Sequence, residues 1–205
     1  VVAPGSRKPV IGSNPFAYAV PAGEEKPIFL DIAMSMVAAG KIAAAKFAGK
    51  PIPDTWYVDD EGLPTTDPAL YPEHGALMPM ADHKGYGLAL LIEVLSSVLS
   101  GAAVTRQVKS WVLENPANAT GQGHAFLAMD IGSIMPLNSF NTRMDQMIRE
   151  IRNAPKAKGA DRICLPGEME WQRYEEQRKQ GLSLPADVMT SLNGLADDLK
   201  LDRLF

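Results

Sequence analysis

Apolar residues come first in short blocks along this chain and later at helical spacing. Phe16-Ala-Tyr-Ala-Val20 follows the turn-like Gly12-Ser-Asn-Pro15, and Ile28-Phe-Leu-Asp-Ile32 follows Pro27. Both blocks predict strands, with residues 22–26 as the hairpin loop between them. Ser35 then precedes residues 36–48, which Gly49 and Pro51 close, and these are the cap and stop signals of a helix. Its small residues, among them Ala38, Ala39, Gly40, Ala43 and Ala44, admit another backbone or a ligand, and on residue type alone close packing is favoured over ligand approach. Residues 51–79 are rich in Pro, Asp, Thr and Gly and predict a long loop excursion. Leu88, Leu91, Ile92, Leu95, Val98 and Leu99 recur at three-and-four spacing, which predicts a helix with this face in the core, closed by Gly101.

Further on, His124-Ala-Phe-Leu-Ala-Met-Asp-Ile131 predicts a strand buried between layers, because its apolar residues fall on both faces. Phe140, Met144, Met147, Ile148 and Ile151 mark an amphipathic helix with Arg143, Arg149 and Arg152 on its more polar positions. Residues 162–165 form a short apolar segment ended by Pro166-Gly167. A charged helix follows over 168–180, stopped by Gly181, and a last helix over 185–199 carries Val188, Leu192, Leu195 and Leu199.

Composition narrows the function classes. The 205 residues carry 20 Lys+Arg against 24 Asp+Glu, a net charge of −4, which argues against a nucleic-acid partner bound by bulk charge. With 46% hydrophobic and 21% charged residues the chain has the ordinary globular mix. Its 17 glycines and 16 prolines are spread throughout and point to many short elements joined by turns. The single cysteine, Cys164, excludes an internal disulfide and fits a reducing, cytoplasmic setting. The most apolar stretch, residues 87–99, is interrupted by Glu93, Ser96 and Ser97 and is too short for a membrane span. Val1-Val2-Ala3-Pro4-Gly5-Ser6 reads as neither a signal peptide nor a natural start, so the chain is expected to be a portion of something longer.

Chemistry-bearing motifs are sparse. There is no P-loop, no His-Glu-x-x-His pair, no Gly-x-Ser-x-Gly elbow and no complete dinucleotide fingerprint. Gly85-Tyr-Gly87 and Gly121-Gln-Gly123 each begin a Gly-x-Gly pattern without its third glycine. Gly85 and Gly87 open the strongest helix, where backbone N–H groups and Lys84 suit an anion; a tight turn into a buried helix with a solvent-facing Lys is the favoured explanation. His74, His83 and His124 are too scattered for a metal triad, and no metal is expected. Asp82-His83-Lys84 places a carboxylate, an imidazole and an ammonium beside the glycine turn, a cluster suited to a polar cofactor and also common in charged turns.

Four segments taken together resemble the malate/L-lactate dehydrogenase family of non-Rossmann, nicotinamide-dependent 2-oxo acid reductases. They are Gly12-Ser-Asn-Pro-Phe16, Asp31-Ile-Ala-Met-Ser35 leading to Ala39-Gly-Lys41, His83-Lys-Gly-Tyr-Gly-Leu88, and Leu165-Pro-Gly-Glu168 with its charged helix and Gly181. The resemblance implies an α/β protein of the α+β type, similar to sulfolactate dehydrogenase, whose mixed, largely antiparallel sheet is flanked by helices and is not a Rossmann fold. It implies NAD or NADP as cofactor, contacted by Asp31, Ile32 and Ala33, by Asp82, His83 and Lys84, and by Arg162, Leu165, Pro166, Gly167 and Glu168. Ser13, Ala39 and Gly40 match substrate-contacting positions, and Lys41 is the candidate catalytic position. Where Lys41 stands, the family's cyclic imino-acid reductases carry an Asp, so the resemblance favours a small 2-oxo or 2-hydroxy acid as substrate.

The same resemblance implies a homodimer. It divides the chain into a cofactor domain over 1–165 and C-terminal helices over 166–205 that pack on an N-terminal or dimerisation domain. The family's Ser-His pair and substrate-carboxylate Arg belong to an N-terminal segment without a counterpart in these residues, and Ala81-Asp82 replaces a common Gly-Gly. The alternatives are a noncatalytic cofactor-binding or interaction module, and an imino-acid reductase.

Overall fold

The computed structural model describes residues 1–110 and 117–202. β1 (Phe16–Val20) and β2 (Ile28–Ile32) form the expected antiparallel hairpin, with Phe16 opposite Ile32 and Val20 opposite Ile28. Strand alternation sends Ile28 into a cluster with Ile148 and Leu165, and Ile32 against Met34, Ile11 and Ala89. Phe29 and Asp31 therefore lie on the opposite face of β2. The hairpin loop is fastened from below, because Asp145 accepts the backbone N–H groups of Gly23, Glu24 and Glu25 at 3.0, 2.9 and 3.1 Å. A β-carbon on residue 23 would lie 2.6 Å from that carboxylate, so any side chain there would push the clamp aside.

α1 (Ala39–Phe47) begins later than the pattern suggests, and Ser35 does not cap it. The Ser35 hydroxyl donates to the Val37 carbonyl at 2.9 Å. Its backbone is instead drawn into a ladder: Met36 N–H donates to Met78 O and Met80 N–H to Met34 O, both at 2.8 Å, and Ser35 bridges Pro79. Residues 51–79 are likewise not a loop excursion. They carry a three-stranded antiparallel sheet, in which β3 (Tyr57–Val58) lies between β4 (Pro64–Thr65) and β5 (Ala76–Leu77). Ile52 and Tyr57 form a core with Val37 and Ile42 beneath α1. The phenol of Tyr57 donates to His74 O at 2.9 Å, and burial pushes it up to about 12.

α2 (His83–Glu93) runs on into a π-helical turn over Val94–Val98, in which Leu99 N–H reaches Val94 O at 2.9 Å. Most of the face expected in the core points outward, and of its residues Ile92 packs on the cluster of Val1, Ile11, Met34 and Ala89. Leu88, Leu91, Leu95, Val98 and Leu99 are 51%, 53%, 44%, 57% and 71% exposed. The buried residues are Gly85, Ala89, Glu93 and Ser97, four apart on the other side. The reason at the head of the helix is proximity: a β-carbon on residue 85 would lie 1.8 Å from Met80 O, so only glycine fits at that point.

The strand expected over residues 124–131 does not form. Its backbone has no ladder partner among the described residues, and Phe126 and Leu127 are 96% and 86% exposed. The helical expectations for the second half of the chain hold in α3 (Leu137–Arg152), α4 (Glu168–Gln180) and α5 (Ala186–Asp198). α4 seats on the hairpin through Trp171, whose indole N–H donates to Pro27 O at 2.9 Å and whose ring meets Phe29 edge-on at 5.6 Å. The architecture is thus mixed α and β, and among the described residues every strand pairing is antiparallel. Its accessible surface is 14656 Å², whereas a compact monomer of this mass exposes about 9,300 Å². No helix of the described residues is long and apolar enough to cross a membrane.

Candidate functional site

Three of the four family segments are sewn together by backbone hydrogen bonds. Met34 N–H donates to Ser13 O at 2.7 Å, which sets the Ser13 turn against the chain leaving β2. Met80 N–H then donates to Met34 O at 2.8 Å, which brings the Ala81–Asp82 turn and the head of α2 alongside. Ser13, the strand end Asp31, Ile32 and Ala33, and Asp82, His83 and Lys84 therefore lie along one short ladder centred on Met34, which is itself 1% exposed. Ser13, Asp31, Asp82, His83 and Lys84 are exposed, so the ladder presents a polar rim above a buried methionine.

The head of α2 has an unusual backbone. Ala81 and Asp82 take φ of 49° and 52°, the left-handed region that favours glycine. The Asp82 and His83 side chains stand 3.8 Å apart, both about three-quarters exposed. The two glycines of this motif separate in role. Gly85 is demanded by contact with Met80, which is the packing explanation, whereas a β-carbon on residue 87 would meet nothing within 4 Å. In the second glycine pair, a β-carbon on Gly123 would lie 1.9 Å from Ser96 O, so that residue too serves close packing.

Ala39, Gly40 and Lys41 form the first turn of α1, just beyond the Met34–Met36 ladder. Gly40 and Lys41 are exposed, a β-carbon on residue 40 would enter open space, and the Lys41 ammonium has no hydrogen bond or ion pair among the described residues. The fourth segment lies elsewhere, against the opposite end of β2. Phe29 N–H donates to Pro166 O at 3.4 Å, and a β-carbon on Gly167, at φ 87°, would strike the Phe29 ring at 2.6 Å. Leu165 is buried, and Arg162 turns outward to Gln172 Oε1 at 2.7 Å. The hollow that Leu165 and Pro166 share with Ile28 and Trp171 holds about 20 Å³, room for one water and no more.

An ion network fixes this fourth segment. Arg152 donates to Glu168 Oε1 at 2.7 and 3.0 Å and to Glu25 Oε2 at 2.9 Å, while Glu168 Oε2 accepts Leu165 N–H at 2.9 Å. Arg149 adds Glu24 at 2.7 Å and Glu25 at 3.0 Å. Hydrogen bonds from Arg152 and then Arg149 hold the Glu25 carboxyl below its ordinary value. The N–H groups of the hairpin loop, Glu24 first, do the same for Asp145.

Asn14 and Glu93 join the site although no motif marks them. The Asn14 amide donates to Ala89 O at 2.9 Å and to Glu93 Oε2 at 2.8 Å, tying the Ser13 turn to the inner face of α2. The one available signal was an acidic residue interrupting an otherwise apolar helix. No group of three or more potential metal ligands exists among the described residues. The exposed Lys84 and His83, the open face at Gly87 and the small residues at the head of α1 suit a polar, anionic cofactor lying along the surface.

A malate/L-lactate dehydrogenase family model matches residues 1–193, and the chain belongs to that family. It is 34% identical over 212 aligned residues to a malate dehydrogenase of Pyrococcus horikoshii, covering 100% of this chain and 58% of that protein. Among solved structures, sulfolactate dehydrogenase of Methanocaldococcus jannaschii aligns with a TM-score of 0.82 at 35% identity, over 97% of this chain and 56% of that one. Malate dehydrogenase of Entamoeba histolytica aligns with a TM-score of 0.88 at 28% identity, over 99% and 59%. The chain therefore spans little more than half the length of the relatives it matches.

Proposed function

We propose that this chain is the cofactor-binding portion of an NAD(P)-dependent 2-hydroxy acid dehydrogenase, acting on a small 2-oxo or 2-hydroxy acid as a cytoplasmic homodimer. The observation that carries the reading is the Ser13–Met34–Met80 ladder, which gathers three separate family segments at one exposed polar rim. Membership of the family and its named dehydrogenases support the reaction class. When bound, the reduced nicotinamide cofactor supplies a hydride to the carbonyl carbon of the acid.

The chain's own residues then divide the remaining work. Asp31, Ile32 and Ala33 hold the cofactor from the strand end, and Asp82, His83 and Lys84 hold it from the head of α2. The Arg162, Leu165, Pro166, Gly167 and Glu168 segment serves as a further cofactor contact from the far end of β2. Ser13, Ala39 and Gly40 line the substrate, with small side chains allowing close approach. The Lys41 ammonium offers a positive charge to the substrate carboxylate or to the alkoxide that develops as the hydride arrives.

The test is a titration of the purified chain with NADH and, separately, NADPH, followed by Trp quenching, with a thermal melt to establish folding. Saturable binding of one or both is expected, and Lys41→Ala should leave that binding and the melt unchanged while abolishing detectable keto-acid affinity. A cooperatively folded chain that binds neither nucleotide overturns the reading.

A further inference from the structure

We infer that Glu93 is a positioning residue for the substrate-side turn, acting through Asn14; the functional part of this inference rests on the reading of Ser13 as a substrate contact. Glu93 is only 7% exposed, yet among the described residues no cation lies within ion-pair distance of it. Both its oxygens are engaged by donors from different parts of the chain. Oε2 accepts the Asn14 side-chain amide at 2.8 Å, and Oε1 accepts the Thr105 backbone N–H at 2.6 Å. A buried carboxylate without a countercharge is costly to keep, and hydrogen bonds to both oxygens are what sustain it.

The Asn14 amide has its orientation fixed by the same geometry. Its nitrogen faces two acceptors, Ala89 O at 2.9 Å and Glu93 Oε2, so it donates both hydrogens. The oxygen lies over Gly12, where a β-carbon would come within 2.8 Å of it, so the glycine makes room for this side chain. Asn14 itself sits at φ 36°, a left-handed conformation that side-chain tethering stabilises. The residue before it is Ser13, whose carbonyl accepts Met34 N–H at 2.7 Å. Glu93 thus sets Asn14, Asn14 sets the turn, and the turn sets Ser13 against the end of β2.

This arrangement requires an acceptor at both ends of residue 93. Glutamine has the same length and shape, but its amide would point a donor at either Asn14 or Thr105, and neither can turn to accept without giving up its present bond. The inference is therefore specific to the carboxylate rather than to the volume it fills.

The experiment compares wild type, Glu93→Gln, Glu93→Ala and Asn14→Ala in the 205-residue chain, each shown by melting to be folded. Residue-resolved amide exchange reads the Met34 N–H, which depends on Ser13, against the Met80 N–H, which depends only on Met34. All three variants should speed exchange at Met34 at least tenfold while Met80 changes less than twofold. Unchanged protection at Met34, or equal loosening at both amides, overturns the inference. A second measurement separates positioning from bulk stability: with pyruvate and oxaloacetate as probes in the presence of NADH, Glu93→Gln should weaken keto-acid binding about tenfold and NADH binding less than twofold. Equal weakening of both overturns the substrate-side assignment. If wild type binds NADH and neither acid, the substrate reading of Ser13 fails, and the exchange result alone still decides whether Glu93 positions the turn. Where a Glu93 variant does not fold, Asn14→Ala, which removes the same tether from its other end, carries the test with the same outcomes.

Discussion

The two faces of α2 follow opposite rules. Its inner face is Gly85, Ala89, Glu93 and Ser97, small or polar and buried; its outer face is Leu88, Leu91, Leu95, Val98 and Leu99, large, apolar and exposed. The inner face is set by backbone approach, since Met80 O lies where a Gly85 β-carbon would be and the Asn14 amide reaches Ala89 O. The outer face has the periodicity of a core stripe, and Phe126 and Leu127 lie exposed as well. An apolar surface of this extent marks a place where proteins make contacts. Helical periodicity thus identified an apolar face that is exposed in this chain, while the residues that seat the helix sit on the side without an apolar stripe.

The largest effect should come from Gly85→Ala, because its methyl group meets backbone that cannot move aside. A loss of about 3 kcal/mol or more is expected in denaturant unfolding. Ala89→Leu, which overfills the same face, should cost about 2 kcal/mol. A smaller stabilisation is expected in the opposite direction from Ala81→Gly, which relieves a left-handed alanine and should gain about 1 kcal/mol. Leu91→Ala on the outer face should fall within about 0.5 kcal/mol of wild type. If Leu91→Ala costs as much as Ala89→Leu in the same assay, the distinction between the faces is wrong.

The hairpin clamp adds a pH dependence. Asp145 and Glu25 are held below their ordinary values of 3.8 and 4.5 in the folded chain. Their contribution is therefore fully present above the unfolded values and is lost as the pH falls through the lower folded ones. Acid unfolding should steepen below about pH 4.5. Asp145→Asn, which can keep its one oxygen on the Gly23 and Glu25 N–H groups but then turns an amide donor toward the Glu24 N–H, should lower the melting temperature at pH 7 and flatten that acid limb. An unchanged limb would mean that the clamp does not couple folding to protonation.

Much of the element list was legible. The hairpin, α3, α4 and α5 each announce themselves by contiguous apolar runs, helical spacing or a terminating glycine, as Gly181 does for α4. Residues 51–79 were misread because their core contributors, Ile52, Tyr57, Val58 and Ala76, are scattered among turn residues, and each strand is only two residues long. Ser35 does not act as the cap because its hydroxyl turns to the Val37 carbonyl and its backbone pairs with Pro79, a partner far along the chain. Residues 124–131 have strand composition, but a strand needs a neighbour that pattern alone does not supply.

For the site, the motif segments were legible and their meeting point was not. Ser13, Asp31 and His83 come together through Met34 and Met80, ordinary apolar residues acting through their backbones. Glu93 was visible only as an interruption. Leu165, Pro166 and Gly167, grouped with the same cofactor by resemblance, pack at the other end of β2.

The most direct test of the account is an NMR titration of the labelled chain with NADH, read at backbone amides. The account predicts saturable shifts at Ile32, Ala33, His83 and Lys84, along the rim of the Met34 ladder, with Leu91, Leu95 and residues 126–129 unmoved. Saturable shifts confined to the outer face of α2, or binding that leaves the ladder untouched, would contradict it.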